Sequence, residues 1–320
     1  MKKRYLTKSR FRLALECPTK LFYTGKAQYA NQSLEDSFLA ALAEGGFQVG
    51  ELAKLYFPGG HDIKTLDYEE ALSRTDELLA LDSVIIYEGA FRHGNLFIRA
   101  DIIEKRGNTL FLHEVKAKSF DPGEENLFLT GKGDIQSGWK PYLYDVAFQK
   151  FVIKRACPGF QVFAHLMMAD KTALCPTHGL NQKFRIVKDG RGRKSVAVSH
   201  DISPSDLSPR ILRSVGVDGI CQGIFTDTLT AGEYELGFES MVEFLSERYS
   251  ADMKIPSPVS TACAGCEFVA TDEEERRGLL SGGRNAGRRT WASVKKTSWT
   301  QRYWMCGPSG KRISSFGKSG

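Results

Sequence analysis

The sequence contains no apolar run that approaches the ~20 residues needed to cross a bilayer. Residues 1–16 also lack the apolar core of a secretory signal, because lysine and arginine interrupt them. Hydrophobic residues make up 42% of the chain and charged residues 26%, a composition that excludes collagen-like and wholly disordered proteins. We therefore expect a globular protein of the cytoplasm that has no membrane partner.

Acidic residues are absent after Glu275, whereas eleven lysines and arginines lie beyond it. The formal net charge of +6 therefore comes from the end of the chain, and acidic residues outnumber basic ones elsewhere. A basic tail can bind nucleic acid by neutralising phosphates and releasing counterions. The same composition is typical of a solvated end, and we expect an anomalous, poorly ordered tail over 283–320.

Cysteine is scarce and odd in number, with seven residues in the chain. In a cytoplasmic protein this count does not indicate a disulfide framework. Cys263-Ala-Gly-Cys266 places two thiolates at the spacing of metal ligands. The pair follows Pro256-Ser-Pro258, which indicates a loop knuckle rather than the strand-to-helix setting of a redox motif. Further ligands have to come from single cysteines such as Cys17, for which a small buried residue is the alternative interpretation.

Hydrophobic spacing and turn residues predict alternating helical and extended segments. Tight turns at His93–Asn95 and Lys105–Asn108 connect three strands, which therefore form an antiparallel meander. A helix and a further strand follow, which indicates an α/β fold with a mixed sheet flanked by helices. A short helix that Thr7 or Ser9 can cap precedes Cys17. The predicted helices cover 33–57, 68–81, 139–155, 205–215 and 231–250, the predicted strands cover 84–91, 96–103, 109–116 and 160–168, and residues 171–200 are expected to form a hairpin or an excursion.

Three charged side chains interrupt apolar strands of the predicted meander: Asp101 in the second strand, and Glu114 and Lys116 in the third. Side chains alternate along a strand, so Glu114 and Lys116 share a face, and the hairpin can bring Asp101 beside them. Two carboxylates can share a divalent ion that lowers the pKa of bound water and neutralises phosphate, while the lysine orients that water. The alternative interpretation is an exposed sheet face with a salt bridge between strands.

This pattern resembles the PD-(D/E)xK nuclease superfamily, in particular its RecB-like branch. That family has a helix before the meander, an aspartate on one strand, Glu-x-Lys on the next and a glutamine on the following helix. Asp101, Glu114 and Lys116 match directly, and Gln149 in Val-Ala-Phe-Gln-Lys matches the glutamine. The resemblance implies a restriction-endonuclease-like core, catalytic roles for these four residues, and Mg²⁺ or Mn²⁺ bound by Asp101 and Glu114.

Two positions depart from the family pattern. Ile153 stands where a tyrosine often follows the glutamine, and Gly50 stands where a histidine often lies in the first helix. Adjacent Glu51 or nearby His61 is the candidate for an auxiliary metal contact in place of that histidine.

The cysteines extend the resemblance to iron–sulfur nucleases of the same branch, which include CRISPR-associated exonucleases and an uncharacterised bacterial family. One cysteine before the core and a group after it imply a [4Fe–4S] cluster with Cys17, Cys263 and Cys266 as ligands. Where the family continues with a Glu-Cys-Trp-like segment, this chain has Asn-Ala-Gly, which indicates a divergent or frameshifted end from about residue 283. Cys306 is then the candidate for the fourth ligand.

The resemblance also implies an organisation and a function. We expect a nuclease that hydrolyses phosphodiester bonds, with DNA as its nucleic acid partner and single strands or ends as its substrate. Two alternatives remain: a catalytically inactive nucleic-acid-binding protein of the same fold, and a zinc-knuckle protein in which Glu-x-Lys is incidental. The predicted regions are an N-terminal cysteine segment over 1–32, a nuclease core over 33–170, a helical part with Cys-x-x-Cys over 171–282 and the basic tail over 283–320.

Overall fold

The computed structural model describes residues 3–34, 37–188 and 194–282. The predicted tail over 283–320, with Cys306 in it, lies outside the described residues. Within the described ranges, no helix combines the length and the apolar character that crossing a membrane requires.

The chain divides into two compact units. The first unit takes the residues up to 22 and residues 36–257, and the second takes residues 23–35 and the chain from 258. The helices are α1 (Lys8–Glu16), α2 (Thr19–Tyr23), α3 (Ser37–Leu55), α4 (Tyr68–Leu79), α5 (Lys140–Ala156), α6 (Asp218–Thr226), α7 (Phe238–Ser250) and α8 (Asp272–Arg276). The strands are β1 (His61–Asp62), β2 (Ser83–His93), β3 (Leu96–Arg106), β4 (Thr109–Phe120), β5 (Gln161–Asp170), β6 (Phe184–Lys188), β7 (Lys194–Val198), β8 (Leu212–Gly216), β9 (Thr228–Ala231) and β10 (Tyr234–Gly237).

A mixed six-stranded sheet forms the centre of the first unit, in the order β1-β2-β3-β4-β5-β8. Strands β2, β3 and β4 form the predicted antiparallel meander. Helix α5 then crosses over to β5, which pairs parallel with β4, and β8 closes that edge antiparallel to β5. The α/β fold with a mixed sheet flanked by helices is therefore confirmed.

Apolar side chains of successive strand residues pack on opposite faces of the sheet. Ile103 and Leu112 join a core with side chains of α1, α4, α5, α6 and α7, whereas Ile102 and Met167 join a second core with α3 and the β6–β7 hairpin. Because side chains alternate along a strand, residues 101 and 114 share the face of Ile103 and Leu112. The candidate carboxylates therefore lie on the face that α5 covers.

Two of the predicted helices are wrong in part or in whole. Residues 205–215 form a single 3-10 turn at Pro204–Leu207 and then strand β8, because Pro209 lacks the backbone N–H that a helix interior needs. The helix predicted from residue 231 begins only at Phe238. Gly232, with a φ of +67°, forms the tight turn of the β9–β10 hairpin that precedes it.

Hydrophobic spacing did not indicate α6, whereas the hairpin expected within 171–200 is present as β6 and β7.

The second unit is small and is held by backbone hydrogen bonds and one aromatic cluster. The N–H of Ala30 donates to the Leu280 carbonyl over 3.1 Å. The ring of Tyr23 packs against Phe268, with centroids 5.5 Å apart. The Cys-x-x-Cys pair lies in this unit, on the short 3-10 helix Thr261–Gly265 and the residue after it.

Candidate functional site

The backbone ladder between β3 and β4 stops at the point where the charged residues begin. Its last pair is Ile102 with His113, so continuing the same register places Asp101 opposite Glu114. There the N–H of Val115 donates to Asp101 Oδ2 over 2.8 Å instead of to a backbone carbonyl. The aspartate side chain thus replaces a missing ladder acceptor, which holds its carboxylate at the opened end of the hairpin.

Glu114 is fully buried and is the most densely contacted group of the site. Its Oε1 lies 2.7 Å from Lys116 Nζ, and its Oε2 accepts a hydrogen bond from Gln149 Nε2 over 2.8 Å. Lys8 Nζ donates to both carboxylate oxygens, at 2.9 Å each. Burial alone would raise the pKa of Glu114, but the charges of Lys8 and Lys116 and these hydrogen bonds hold it below its usual range.

Helix α5 contributes Gln149 together with Asp145, a residue that the sequence pattern did not identify. The two lie four positions apart and therefore on one helix face. Asp145 Oδ2 accepts from Lys116 Nζ over 3.0 Å and lies 3.6 Å from Arg12 Nη1. The signal that could have found Asp145 is its charge within an otherwise apolar stretch, one turn before the glutamine.

Another group missed by the sequence pattern is Lys8, the first residue of α1. Besides both oxygens of Glu114, its Nζ lies 3.5 Å from Asp101 Oδ1, so one ammonium group bridges the two carboxylates. Lys8 and Arg12 share a face of α1 because they are four positions apart. Phe11 holds this helix in place by stacking on Phe148 of α5, with ring centroids 4.8 Å apart.

Asp101 carries the other strongly perturbed carboxyl group. Burial and the negative charge of Glu114 raise its pKa to about 7, against the opposing charge of Lys8. Like charges placed side by side disfavour joint ionisation, so the two carboxylates favour a cation between them. Perturbed carboxyl groups of this kind cluster at functional sites.

Glu88 on β2 marks a local distortion beside Asp101. Its φ of +58° is a left-handed conformation that residues with a side chain rarely adopt. The β2–β3 ladder skips Glu88, because its two neighbours pair with Ile102 and Ala100. Glu88 therefore lies across from Asp101, and backbone strain of this kind is often found at functional sites.

The chemistry of Asp101 and Glu114 suits a hard divalent cation. Mg²⁺ prefers oxygen ligands and is commonly held by one or two carboxylates together with water and substrate phosphate. The two side chains already share one cation, the Lys8 ammonium. Within the described ranges, His, Cys, Asp and Glu side chains form no metal-binding group of three or more, so the pair would hold a metal jointly with water or substrate.

The proposed auxiliary positions are Glu51 on α3 and His61 on β1. Glu51 pairs with Lys54, whose Nζ lies 2.7 Å from Glu51 Oε1. His61 is exposed on the short edge strand β1. In the described part of the chain, neither residue forms a hydrogen bond or ion pair with Asp101 or Glu114. The auxiliary metal contact from Glu51 or His61 stays a prediction.

Six cysteines lie in the described residues, and none of them forms a disulfide there. Cys17 follows α1 in the first unit, whereas Cys263 and Cys266 belong to the second unit. The N–H of Ser260 points at Cys263 Sγ over 3.4 Å. Cys221 is fully buried, and burial raises the pKa of its thiol to about 12, as expected for an apolar filler.

No protein-family model matches this chain, and no curated protein sequence is similar enough to count as a relative.

Proposed function

We propose that this protein is a nuclease that hydrolyses phosphodiester bonds with Mg²⁺ or Mn²⁺. The observation that carries the proposal is the opposition of Asp101 and Glu114 across two strands, with Lys116 and Gln149 both bound to the glutamate. These are the four residue types that the PD-(D/E)xK pattern requires. The order of helix α3, which carries Gly50, the meander, and helix α5, which carries Gln149, also agrees with that pattern.

Asp101 and Glu114 are the residues that would hold the metal, through oxygens that face Lys8 Nζ. A bound divalent ion supplies water of lowered pKa and neutralises phosphate charge. Gln149 fixes the Glu114 carboxylate from the helix side through Oε2. Because the glutamate is buried and fully bonded, its orientation is set before substrate arrives.

Lys116 acts in this scheme as a charged donor. Burial would lower its pKa, but the carboxylates of Glu114 and Asp145 outweigh that effect and raise it. The ammonium group is therefore protonated at neutral pH and cannot serve as a general base. It orients the attacking water and stabilises the negative charge that develops on the phosphate.

The resemblance supplies the remaining features of the proposal. It favours DNA as the substrate, with cleavage at ends or on single strands. It also favours a [4Fe–4S] cluster ligated by Cys17, Cys263 and Cys266, with Cys306 as the fourth ligand. The spacing of the Cys263–Cys266 pair supports a metal or cluster ligand role for these two thiols.

A non-catalytic nucleic-acid-binding protein is the second candidate, and one observation favours it. The Lys8 ammonium already offsets the charges of Asp101 and Glu114. A site whose carboxylate charges are neutralised in this way is stable without a metal. A protein that binds nucleic acid without cleaving it needs such stability. Only an activity measurement separates the two functions.

The decisive experiment is cleavage of end-labelled single-stranded and duplex DNA by the full chain with Mg²⁺, Mn²⁺ or EDTA. We expect metal-dependent cleavage, and a loss of about a hundredfold or more in Glu114→Gln, because that variant loses a metal ligand. Glu104→Gln is the matched control, since Glu104 lies on β3 and pairs with Arg106 outside the site. Full activity of Glu114→Gln, or DNA binding without cleavage in the native chain, would overturn the nuclease proposal.

A further inference from the structure

We propose that Lys8 is a built-in competitor for the divalent cation, and that its ammonium group must leave the two carboxylates before a metal can bind both. This inference rests on the proposed function. It starts from the position of Lys8 Nζ, at 2.9 Å from each oxygen of Glu114 and 3.5 Å from Asp101 Oδ1. One cation thus contacts both side chains that the metal would use.

The ammonium and a metal cannot occupy this position together. Mg²⁺ binds carboxylate oxygens at about 2.0–2.1 Å, so an ion held by both carboxylates has to lie between them. Lys8 Nζ already takes that position, in contact with both oxygens of Glu114 and with Asp101 Oδ1. Two positive charges a few ångströms apart in a poorly hydrated site also repel each other strongly. Binding of the metal to Asp101 and Glu114 therefore requires Lys8 to withdraw.

The balance of charges also indicates that Lys8 has to withdraw before the metal binds. Counted in their ionised forms, the carboxylates of Asp101, Glu114 and Asp145 face three cations, those of Lys8, Lys116 and Arg12. A divalent ion added to this balanced set leaves an excess of positive charge in a buried site. Withdrawal of one ammonium into water reduces that excess, and the balanced set opposes metal binding until it happens.

Lys8 can withdraw from the two carboxylates. Its side chain is 23% exposed, whereas the partner it would leave, Glu114, is 1% exposed. The lysine stem is long and flexible, and its ammonium is strongly hydrated once free. Lys8 is also the first residue of α1, so its side chain can swing outward while Phe11 keeps the helix docked.

Local helix preferences do not explain a lysine at this position. The helix dipole disfavours a positive charge in the first turn, and α1 has no acidic residue there to offset it. The contacts with Asp101 and Glu114 are what stabilise the Lys8 charge. This agrees with a role inside the site rather than in the helix.

The test measures Mn²⁺ binding to the full chain by calorimetry and by electron paramagnetic resonance of free Mn²⁺. Lys8→Met and Lys8→Gln should bind Mn²⁺ about tenfold more tightly or better, because the competing charge is gone. Lys8→Arg keeps the charge and should bind close to the native affinity. Lys20→Met is the matched control, since Lys20 pairs with Glu16.

Folding of the variants does not obscure the result. Lys8→Gln keeps a hydrogen-bond donor for Glu114, so it serves where Lys8→Met fails to fold. Mn²⁺ should also raise the melting temperature of Lys8→Gln more than that of the native chain, because ligand stabilisation increases with affinity. Native-like Mn²⁺ affinity in a folded Lys8→Gln or Lys8→Met protein would overturn the inference.

The failures of the two proposals are distinguishable. If the native chain cleaves DNA with Mn²⁺, Glu114→Gln does not, and the uncharged Lys8 variants bind Mn²⁺ with unchanged affinity, only the Lys8 inference fails. If neither the native chain nor those variants bind Mn²⁺, the metal-dependent function fails and the Lys8 inference fails with it. Tighter binding in the variants supports the competition whatever the cleavage rate.

Discussion

Glu114 illustrates at the residue scale why a buried carboxylate indicates function. A charge without access to water is stable only when its oxygens are paired and hydrogen-bonded. Here two lysines and one glutamine saturate it, from α1, β4 and α5. An apolar residue would fill the same volume without this arrangement, so the cluster is better explained by chemistry than by stability.

Asp145 shares Lys116 with Glu114 and so positions the lysine. We expect Asp145→Asn to lower the cleavage rate about tenfold, because Lys116 loses a charged partner that holds its donor geometry. Mn²⁺ affinity should fall by less than the cleavage rate, because Asp145 binds Lys116 and not the proposed metal. Single-turnover cleavage and calorimetry on the same protein measure both.

The control for this variant is Asp218→Asn. Asp218, the first residue of α6, pairs with Lys150 of α5, the helix that carries Asp145. It should lower stability without a specific effect on the cleavage rate. An equal loss of rate in the two variants would contradict a positioning role for Asp145.

At the scale of elements, α1 depends on its packing. It has nine residues, and its N-cap residue Thr7 makes no side-chain cap hydrogen bond. Helices this short are marginal in isolation, so tertiary contacts have to hold it. Phe11 supplies them by stacking on Phe148 and by an edge contact with Phe238, with centroids 5.8 Å apart in the latter pair.

Phe11→Ala should therefore destabilise the fold and disturb the site together. Removal of a fully buried phenylalanine costs about 3–5 kcal/mol in the free energy of unfolding. Urea denaturation measures that loss, and cleavage should fall as well because Lys8 and Arg12 lose their support. Phe47→Ala is the control, since Phe47 is 46% exposed on α3 and its loss should change stability by about 0.5 kcal/mol or less.

At the scale of the whole molecule, the cysteines of the proposed cluster come from distant parts of the chain. Cys17 belongs to the first unit, and Cys263 and Cys266 belong to the second. Cluster ligation would make the binding free energy of the cluster part of the folding free energy. The proposal therefore predicts that cluster content and thermal stability change together.

Cys263→Ser and Cys17→Ser should each abolish the absorbance near ~400 nm of a cysteine-ligated cluster in anaerobically purified protein, and should lower the melting temperature. Cys175→Ser is the control, because Cys175 is an exposed free thiol outside the proposed ligand set. Full iron and sulfide content in Cys17→Ser would contradict the ligand set. A loss in Cys306→Ser would identify the fourth ligand.

The sequence by itself determined the parts of the site that follow from local periodicity. Alternation along β3 and β4 placed Asp101, Glu114 and Lys116 on one face, and the helix after the meander supplied Gln149. The three strands of the meander were predicted for the same reason, since tight turns and alternation depend only on neighbouring residues. These rules need no knowledge of the remaining chain.

Only the tertiary structure decided the rest. Lys8 meets Glu114 across 106 positions of sequence, and no periodicity connects α1 to β4. Asp145 belongs to the site because α5 packs over the sheet and places the Asp145 carboxylate within hydrogen-bond distance of Lys116. Strand β8 likewise forms because its backbone pairs with that of β5. Hydrogen bonds, ion pairs and packing between distant segments form only where the fold brings those segments together. They therefore depend on the whole fold and not on local sequence.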